Sequence, residues 1–260
     1  MPRYTPFNWY EQPLYYDIIF DVDTPADADM LEAVHEQFVT ARGRRMLEPA
    51  CGTGRLVTEM ANRGFAVTGL DICQPALAYA RRRLRASGQR GRLLRAAMES
   101  FDLPGQFDIA HCLVSTFKYL LDERSARSHL RCVAKALKPG GVYVLGLHLS
   151  EYDNPSRIRE RWVAARDGVE VVCNIQSWPP DRRRRTERVR SRLVVSENGT
   201  TRRFETAWQF RAYSAHQLRS LVLSVPELEH VATFNFQYDL NQPVQLDGSW
   251  LDNLLILRRR

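Results

Sequence analysis

The chain has 260 residues, 44% of them hydrophobic and 26% charged, with a formal net charge of +7. That length suits one large domain or a core with an insertion, and the composition excludes a disordered chain and a disulfide-stapled miniprotein. No apolar run approaches the ~20 residues a bilayer crossing needs; Ile109–Val114 and Val142–Leu149 are among the longest. Met1–Tyr16 is polar and aromatic, with no basic-then-apolar leader, so the reading is a cytoplasmic protein. The five cysteines, Cys51, Cys73, Cys112, Cys132 and Cys173, are odd in number and lack a C-x-x-C spacing. They read as reduced thiols, and no metal site is expected. Only Lys118, Lys135 and Lys138 are lysines; the other basic residues are arginines, which reads as a solvated basic surface more than as a nucleic-acid footprint.

In chain order, Thr24-Pro25-Ala26-Asp27 opens the first predicted helix, with Thr24 as N-cap and Leu31, Val34 and Phe38 at helical spacing. Strands are predicted near Arg45–Glu48, Ala66–Leu70, Arg92–Arg95, Phe107–Val114 and Val142–Leu147. Helical patterns lie between them near Arg55–Arg63, Pro75–Ala86 and Glu123–Leu137. That alternation predicts an α/β fold with a parallel sheet covered on both faces. After Ser150 the rhythm changes. Strands are expected at Glu170–Trp178, Arg188–Glu197 and Arg202–Arg211, the last two joined by an Asn198-Gly199 hairpin turn. A helix capped by Ser214 runs to Val222, and strands Leu228–Phe236 and Trp250–Leu257 close the chain. The expected division is an N-terminal lid and helix (1–43), a cofactor-binding core (44–150), a β-rich cap insertion (151–213) and a completion of the core sheet (214–260).

The stretch Glu48-Pro49-Ala50-Cys51-Gly52-Thr53-Gly54-Arg55 is a strand, a tight glycine turn and a helix start. Glycine lets a ligand approach the backbone, and the free N–H groups of a helix start favour an anionic group. Asp71 ends the next strand, placed to accept from ribose hydroxyls. Val57 occupies the third position of a dinucleotide fingerprint, and no Gly-Lys-Ser/Thr exists, which excludes a phosphate-cradling P-loop. Glu48 at the head of the turn would repel a pyrophosphate and suits an amino group.

These residues resemble the class I S-adenosylmethionine-dependent methyltransferases, closest in style to small-molecule methyltransferases. The family's first motif, an acidic residue followed by Gly/Ala-x-Gly-x-Gly, is matched by Glu48, Ala50, Gly52 and Gly54. Met98-Glu99, Phe107-Asp108-Ile109 and Leu137-Lys138-Pro139-Gly140-Gly141 follow at family positions. The resemblance implies a doubly wound, seven-stranded, mainly parallel sheet with the last strand antiparallel, plus the β-rich insertion. It implies S-adenosyl-L-methionine as cofactor. The turn, with Cys51 inside it, would hold the methionine part, Asp71 the ribose and Ile72 the adenine. Ala97 stands where relatives often carry an Asp, so adenine recognition passes to Met98 and Glu99. Leu113 at the end of the fourth strand completes the expected contacts.

Outside the match, Tyr15 and Tyr16 in the aromatic segment before the first helix are expected either to fold over the cofactor or to anchor the N-terminus. His148 leaves the fifth strand at the carboxyl edge and is a candidate general base, as is Tyr16. His111 reads as core, and Phe117 as facing the acceptor. Arg182–Arg185, Arg188, Arg190 and Arg192 read as a solvated hairpin face, with binding of a polyanion or acidic substrate, or a dimer surface formed with Glu197 and Glu205, as the other readings. No aromatic residues interleave with them as single-strand binding requires. The expected activity is methyl transfer to a nitrogen or oxygen of a small-molecule acceptor. The alternatives are an RNA or protein methyltransferase using the Arg182–Arg192 hairpin, and a non-catalytic nucleotide-binding protein of the same fold.

Overall fold

The structure is a computed structural model describing residues 3–260; Met1 and Pro2 of the segment read for a leader lie outside the described residues. A short strand β1 (Thr5–Pro6) is followed by α1 (Pro13–Phe20) and α2 (Thr24–Phe38). The alternating core then runs β2 (Arg45–Pro49), α3 (Arg55–Asn62), β3 (Ala66–Asp71), α4 (Gln74–Ala86), β4 (Arg92–Arg95), β5 (Phe107–Cys112), α5 (Glu123–Ala136) and β6 (Leu137–His148). Four strands of the cap follow: β7 (Ile158–Arg166), β8 (Val169–Ser177), β9 (Thr186–Glu197) and β10 (Thr200–Arg211). Helix α6 (Ala215–Leu223), β11 (Leu228–Phe234) and β12 (Asp252–Arg259) complete the chain.

The core sheet has the order β11-β12-β6-β5-β2-β3-β4, with β12 antiparallel to both its neighbours. Its strands send alternate residues to opposite faces and are apolar on both. Met46, Ile109, Val144 and Ile256 pack on α2, α3 and α4, while Leu47, Ala110, Leu145 and Leu255 pack on α5 and α6. Strand order places the glycine turn, Asp71 and the ends of β5 and β6 along one carboxyl edge, where open α/β sheets bind ligands.

The second sheet, β1-β10-β9-β8-β7, is antiparallel except that β1 runs parallel to β10. The N-terminal segment therefore joins the insertion. Trp9, Tyr15, Ile18 and Ile19 share one core with Val171, Cys173, Leu193 and Val195. Helix α1 is latched to both layers. Buried Asp17 accepts from Tyr79 Oη at 2.8 Å and Arg83 at 2.6 Å on α4, and from Arg166 at 2.7 Å on β7. Removing this buried carboxylate takes away the acceptor of the Tyr79 hydroxyl and leaves both arginines to Asp21. Asp17→Ala is expected to lower stability by about 2–4 kcal/mol, somewhat less than for a fully dry pair because both arginines touch solvent; a urea denaturation series measures it.

Two elements add to those expected, and two expectations are corrected. Helix α1 went unread because its eight residues are apolar nearly all round and show no period. Strand β7 went unread because Arg159, Glu160 and Arg161 mask it, although Asp167-Gly168 at φ 52° and 78° makes the two-residue turn that pairs it with β8. Thr24 is already helical, and its hydroxyl donates to Asp21 instead of capping. The fourth strand stops at Cys112, because Val114 and Ser115 turn to φ 54° and 60°. By contrast, Ser214 caps α6 in a reciprocal pair with Gln217, and Asn198-Gly199 turns at φ 49° and 73°.

Candidate active site

At the carboxyl edge, Ala50, Gly52 and Gly54 all have positive φ, at 57°, 53° and 70°. The backbone coils tightly from β2 into α3, with Gly54 N–H bonded to Cys51 O at 2.9 Å. A β-carbon on Gly52 would meet nothing within 4 Å, so the turn faces open space there. One on Gly54 would stand 2.7 Å from Ala80 Cβ of α4. Gly54→Ala thus combines left-handed strain with overpacking, and is expected to cost about 2–4 kcal/mol in a thermal or urea melt. Cys51 contributes only backbone to the turn: its thiol is buried and fills the notch over Gly69, and burial raises its pKa.

Asp71 is nearly buried. Its Oδ2 accepts from Gly52 N–H at 2.8 Å and its Oδ1 from Cys73 N–H at 2.7 Å. A carboxylate has about four lone-pair sites, so each oxygen keeps one for an incoming hydroxyl. Beside it Ile72 is 67% exposed, an apolar side chain in solvent. This donor set, the open turn and the bare apolar platform fit a nucleoside. Met98 is buried and its carbonyl is already taken by His129 Nδ1 at 2.8 Å; the Glu99 carbonyl accepts from Ser128 at 2.8 Å. The Met98 carbonyl keeps a second lone pair for an adenine contact. Leu113 is buried beneath Gly146.

Glu48 lies on β2 beside His111 of β5, their side chains 3.8 Å apart, with Oε2 and both imidazole nitrogens lacking a hydrogen-bond partner. Burial raises the Glu48 pKa to about 8, moderated by Arg55, whose own guanidinium is held by Asp27 at 2.6 Å. Burial lowers His111 to about 3 and His129 to about 4. The signs oppose. The histidines' folded values lie below their usual 6.5, so their stabilising effect is lost as pH falls from 6.5 toward 3. Glu48's folded value lies above its usual 4.5, so stability is lost as pH rises from 4.5 through 8. The limbs overlap, and two histidines outweigh one glutamate there, so stability should peak at about pH 6–6.5 and Glu48→Gln should flatten the alkaline limb; melting curves across pH 4–9 test this.

Between the core edge and the cap sheet lies a cavity of about 460 Å³. Tyr10, Tyr16, Phe20, Tyr119, Trp162, Trp178, Trp208 and Phe210 wall it, with Val114 and Ser115 at its floor. The Tyr10 and Tyr119 hydroxyls bond each other, and Tyr10 O accepts from Cys73 Sγ, which ties the lid to the residues just after Asp71. Tyr16 faces the cavity, its phenol pushed well above the usual range by burial and by Tyr10, so it is no base near neutrality. Tyr15, one helical step away, points instead into the cap, against Phe7 and Phe204, its hydroxyl accepting from Arg202 at 2.8 Å. Phe117 is fully buried against His129 and Tyr213, which corrects its expected place by the acceptor.

His148 lines the cavity, half exposed, with Nδ1 bonded to Asp252 Oδ1. The pairing follows from register, because Asp252 stands opposite His148 in the antiparallel β12–β6 ladder. The histidine hydrogen bond lowers the Asp252 pKa. With the proton on Nδ1, Nε2 is left as an acceptor. Glu160 and Glu187 were not singled out from sequence. Glu187 accepts from buried Lys118 and from Ser150, each at 3.1 Å; Glu160 has its carboxyl raised by burial. They come from cap strands whose register no local pattern reveals. Among the described residues no group of three metal-ligating side chains occurs, and no helix is long and apolar enough to cross a membrane.

Residues 46–141 match a family model described as a methyltransferase domain. The ubiquinone biosynthesis O-methyltransferase of Pseudomonas aeruginosa PAO1 is 36% identical over 105 residues, 40% of this chain and 44% of that protein. Its counterpart in Dechloromonas aromatica is 29% identical over 140 residues, 53% of this chain and 56% of that protein. The chain thus spans about half the length of these relatives. Likeness to solved structures extends over the whole chain. An S-adenosylmethionine-dependent methyltransferase from Clostridium acetobutylicum superposes with a TM-score of 0.76 at 20% identity, covering 97% of this chain and 99% of that one. The sugar N-methyltransferase KedS8 from Streptoalloteichus gives 0.73 at 19%, covering 100% and 96%. At such identities these likenesses speak for the fold, while the motif residues and the matched domain speak for the family. Residues 46–141 thus form a methyltransferase domain, in a chain whose whole fold is that of these S-adenosylmethionine-dependent enzymes.

Proposed function

We propose that this chain methylates a nitrogen or oxygen of a small-molecule acceptor held in the cavity between core and cap. The observation that carries the reading is that cavity: it is walled by aromatic rings and meets the carboxyl edge of the core sheet at Val114, Ser115 and His148, just beyond β5 and at the end of β6. The names of the structural neighbours agree with it, since KedS8 is a sugar N-methyltransferase and CalS10, similar at a TM-score of 0.69, an amino pentose methyltransferase.

Glu48, Ala50, Gly52 and Gly54 would hold the methionine part of S-adenosylmethionine, Asp71 the ribose and Ile72 the adenine. When bound, that molecule supplies a methyl carbon made electrophilic by a sulfonium. The chain's own task is mostly alignment, which alone can supply about 7–11 kcal/mol of the barrier. The aromatic walls exclude water and orient the acceptor, and His148 Nε2 receives the proton it loses. Residues 5–20 and 151–213 act as one closure over the core, because they share a sheet and a core, whereas α2 packs on the main sheet.

The test is turnover. The purified chain is incubated with S-adenosylmethionine carrying a labelled methyl group and a panel of amines and alcohols small enough for the cavity. Label should reach low-mass acceptors with release of S-adenosylhomocysteine. Label reaching only RNA or protein, or cofactor binding with no transfer to any acceptor, overturns the reading.

A further inference from the structure

The arginine-rich hairpin is not a uniformly solvated face. In β9, Arg188, Arg190 and Arg192 alternate with buried Val189, Ser191 and Leu193, so they project from the outer surface of the cap. Pairing puts Gln176 and then Arg159 in the row of Arg190, and Asn174 and then Arg161 in the row of Arg192. Trp178, just beyond β8, lines the rim of the cavity. Three guanidinium groups lie over its ring: Arg188 at 4.6 Å, Arg190 at 5.2 Å and Arg157 at 5.9 Å from the centroid. Thus an aromatic residue does accompany these arginines, although from a neighbouring strand.

The cluster has few acids. Glu205 receives Arg192 at 2.7 Å and stands 3.8 Å from Arg190, while Gln176 accepts from Arg190 at 2.9 Å. Among the described residues, no carboxylate pairs with Arg157, Arg159, Arg161 or Arg188. Burial and the neighbouring Arg192 and Arg188 press the Arg190 guanidinium below its usual range. Cations crowded this way repel one another, and an anion set among them would relieve that repulsion. Stacking on indole fixes guanidinium planes, whose paired donors match phosphate oxygens.

Resting on the reading of the cavity as the acceptor site, we propose that Arg157, Arg188 and Arg190 at the Trp178 rim bind a phosphate or diphosphate group carried by the acceptor. Two features favour a compact anion on a small molecule over a nucleic-acid backbone. The three guanidinium groups converge on one ring instead of lining a track. The cavity behind the rim bears the carboxyl groups of Glu160, Glu187 and Asp252, which repel phosphate, so the anion stays outside while the methyl-accepting end enters.

The probe is inorganic pyrophosphate, titrated into the full chain without S-adenosylmethionine and followed by tryptophan fluorescence and calorimetry. Saturable one-to-one binding is expected, weakened about tenfold or more in the Arg188→Gln/Arg190→Gln double variant, as lost charge-assisted bidentate bonds require. Arg203→Gln removes the same charge elsewhere on the outer face, opposite Val194, and should change affinity less than about twofold, as screening of distant exposed charges predicts. If the double variant does not fold, Arg157→Gln, in the exposed segment before β7, should still weaken binding about threefold or more. Absence of saturable binding, or equal losses in the rim variants and Arg203→Gln, overturns the proposal. So does a single-stranded oligonucleotide that binds more tightly than pyrophosphate with a steep salt slope. Because no cofactor is present, such a failure leaves the methyltransferase reading standing; that reading fails separately, in the turnover assay.

Discussion

Replacing Asp71 with alanine is expected to lower affinity for S-adenosylmethionine by about 10²–10⁴-fold, with a separate loss of stability. Two hydrogen bonds from hydroxyls to a carboxylate contribute about 1.5–3 kcal/mol each, which sets that range. The structure adds a second cost. Asp71 accepts from Gly52 N–H and Cys73 N–H, so it also fastens the glycine turn to the loop that carries Ile72. Both N–H groups would lose their partner, for about 1–3 kcal/mol of stability each if water does not replace it. Calorimetric titration read beside a thermal melt separates the two effects. Asp71→Asn refines the test: its side-chain oxygen can still accept one of the two N–H bonds, but the charge is gone. Wild-type affinity in Asp71→Ala would remove the ribose assignment.

The second large effect is expected at His148 and Asp252. His148→Ala should lower kcat by about 10²–10⁴-fold, the range for a general base, while cofactor affinity stays near that of the unaltered chain. Asp252→Asn should lower kcat less. An amide at that position can accept the Nδ1 proton but also offers donors that favour the other tautomer, taking Nε2 out of its accepting role. The exposed pair contributes little to folding, so these losses should appear in rate without a shift in melting temperature. An unchanged kcat in His148→Ala would remove the general-base assignment.

The core was legible because its signals are local. Alternating strands and helices, glycines at positive φ and an acid one strand on each answer to backbone geometry within a few residues. Glu48, Gly52, Gly54 and Asp71 therefore come together at one edge without knowledge of any distant contact. The same locality explains Ser214 and Asn198-Gly199, whose cap and turn depend on their immediate neighbours.

The acceptor side obeys a different rule. Whether Tyr15 or Tyr16 faces the cavity depends on the rotation of a helix unseen in the apolar pattern. Asp252 reaches His148 only through the register of β12 on β6, and a slip of one residue would turn it away. Trp178 meets Arg157, Arg188 and Arg190 across three separate segments of chain. By itself the sequence determined the sheet, its order of helices and the glycine turn, because each is encoded by short-range sterics and hydrophobic period. Only the tertiary structure decided the cavity, its histidine–aspartate pair and its basic rim. Those arise where the N-terminal segment and the cap share one sheet over the core, a pairing between stretches about two hundred residues apart that no local propensity encodes.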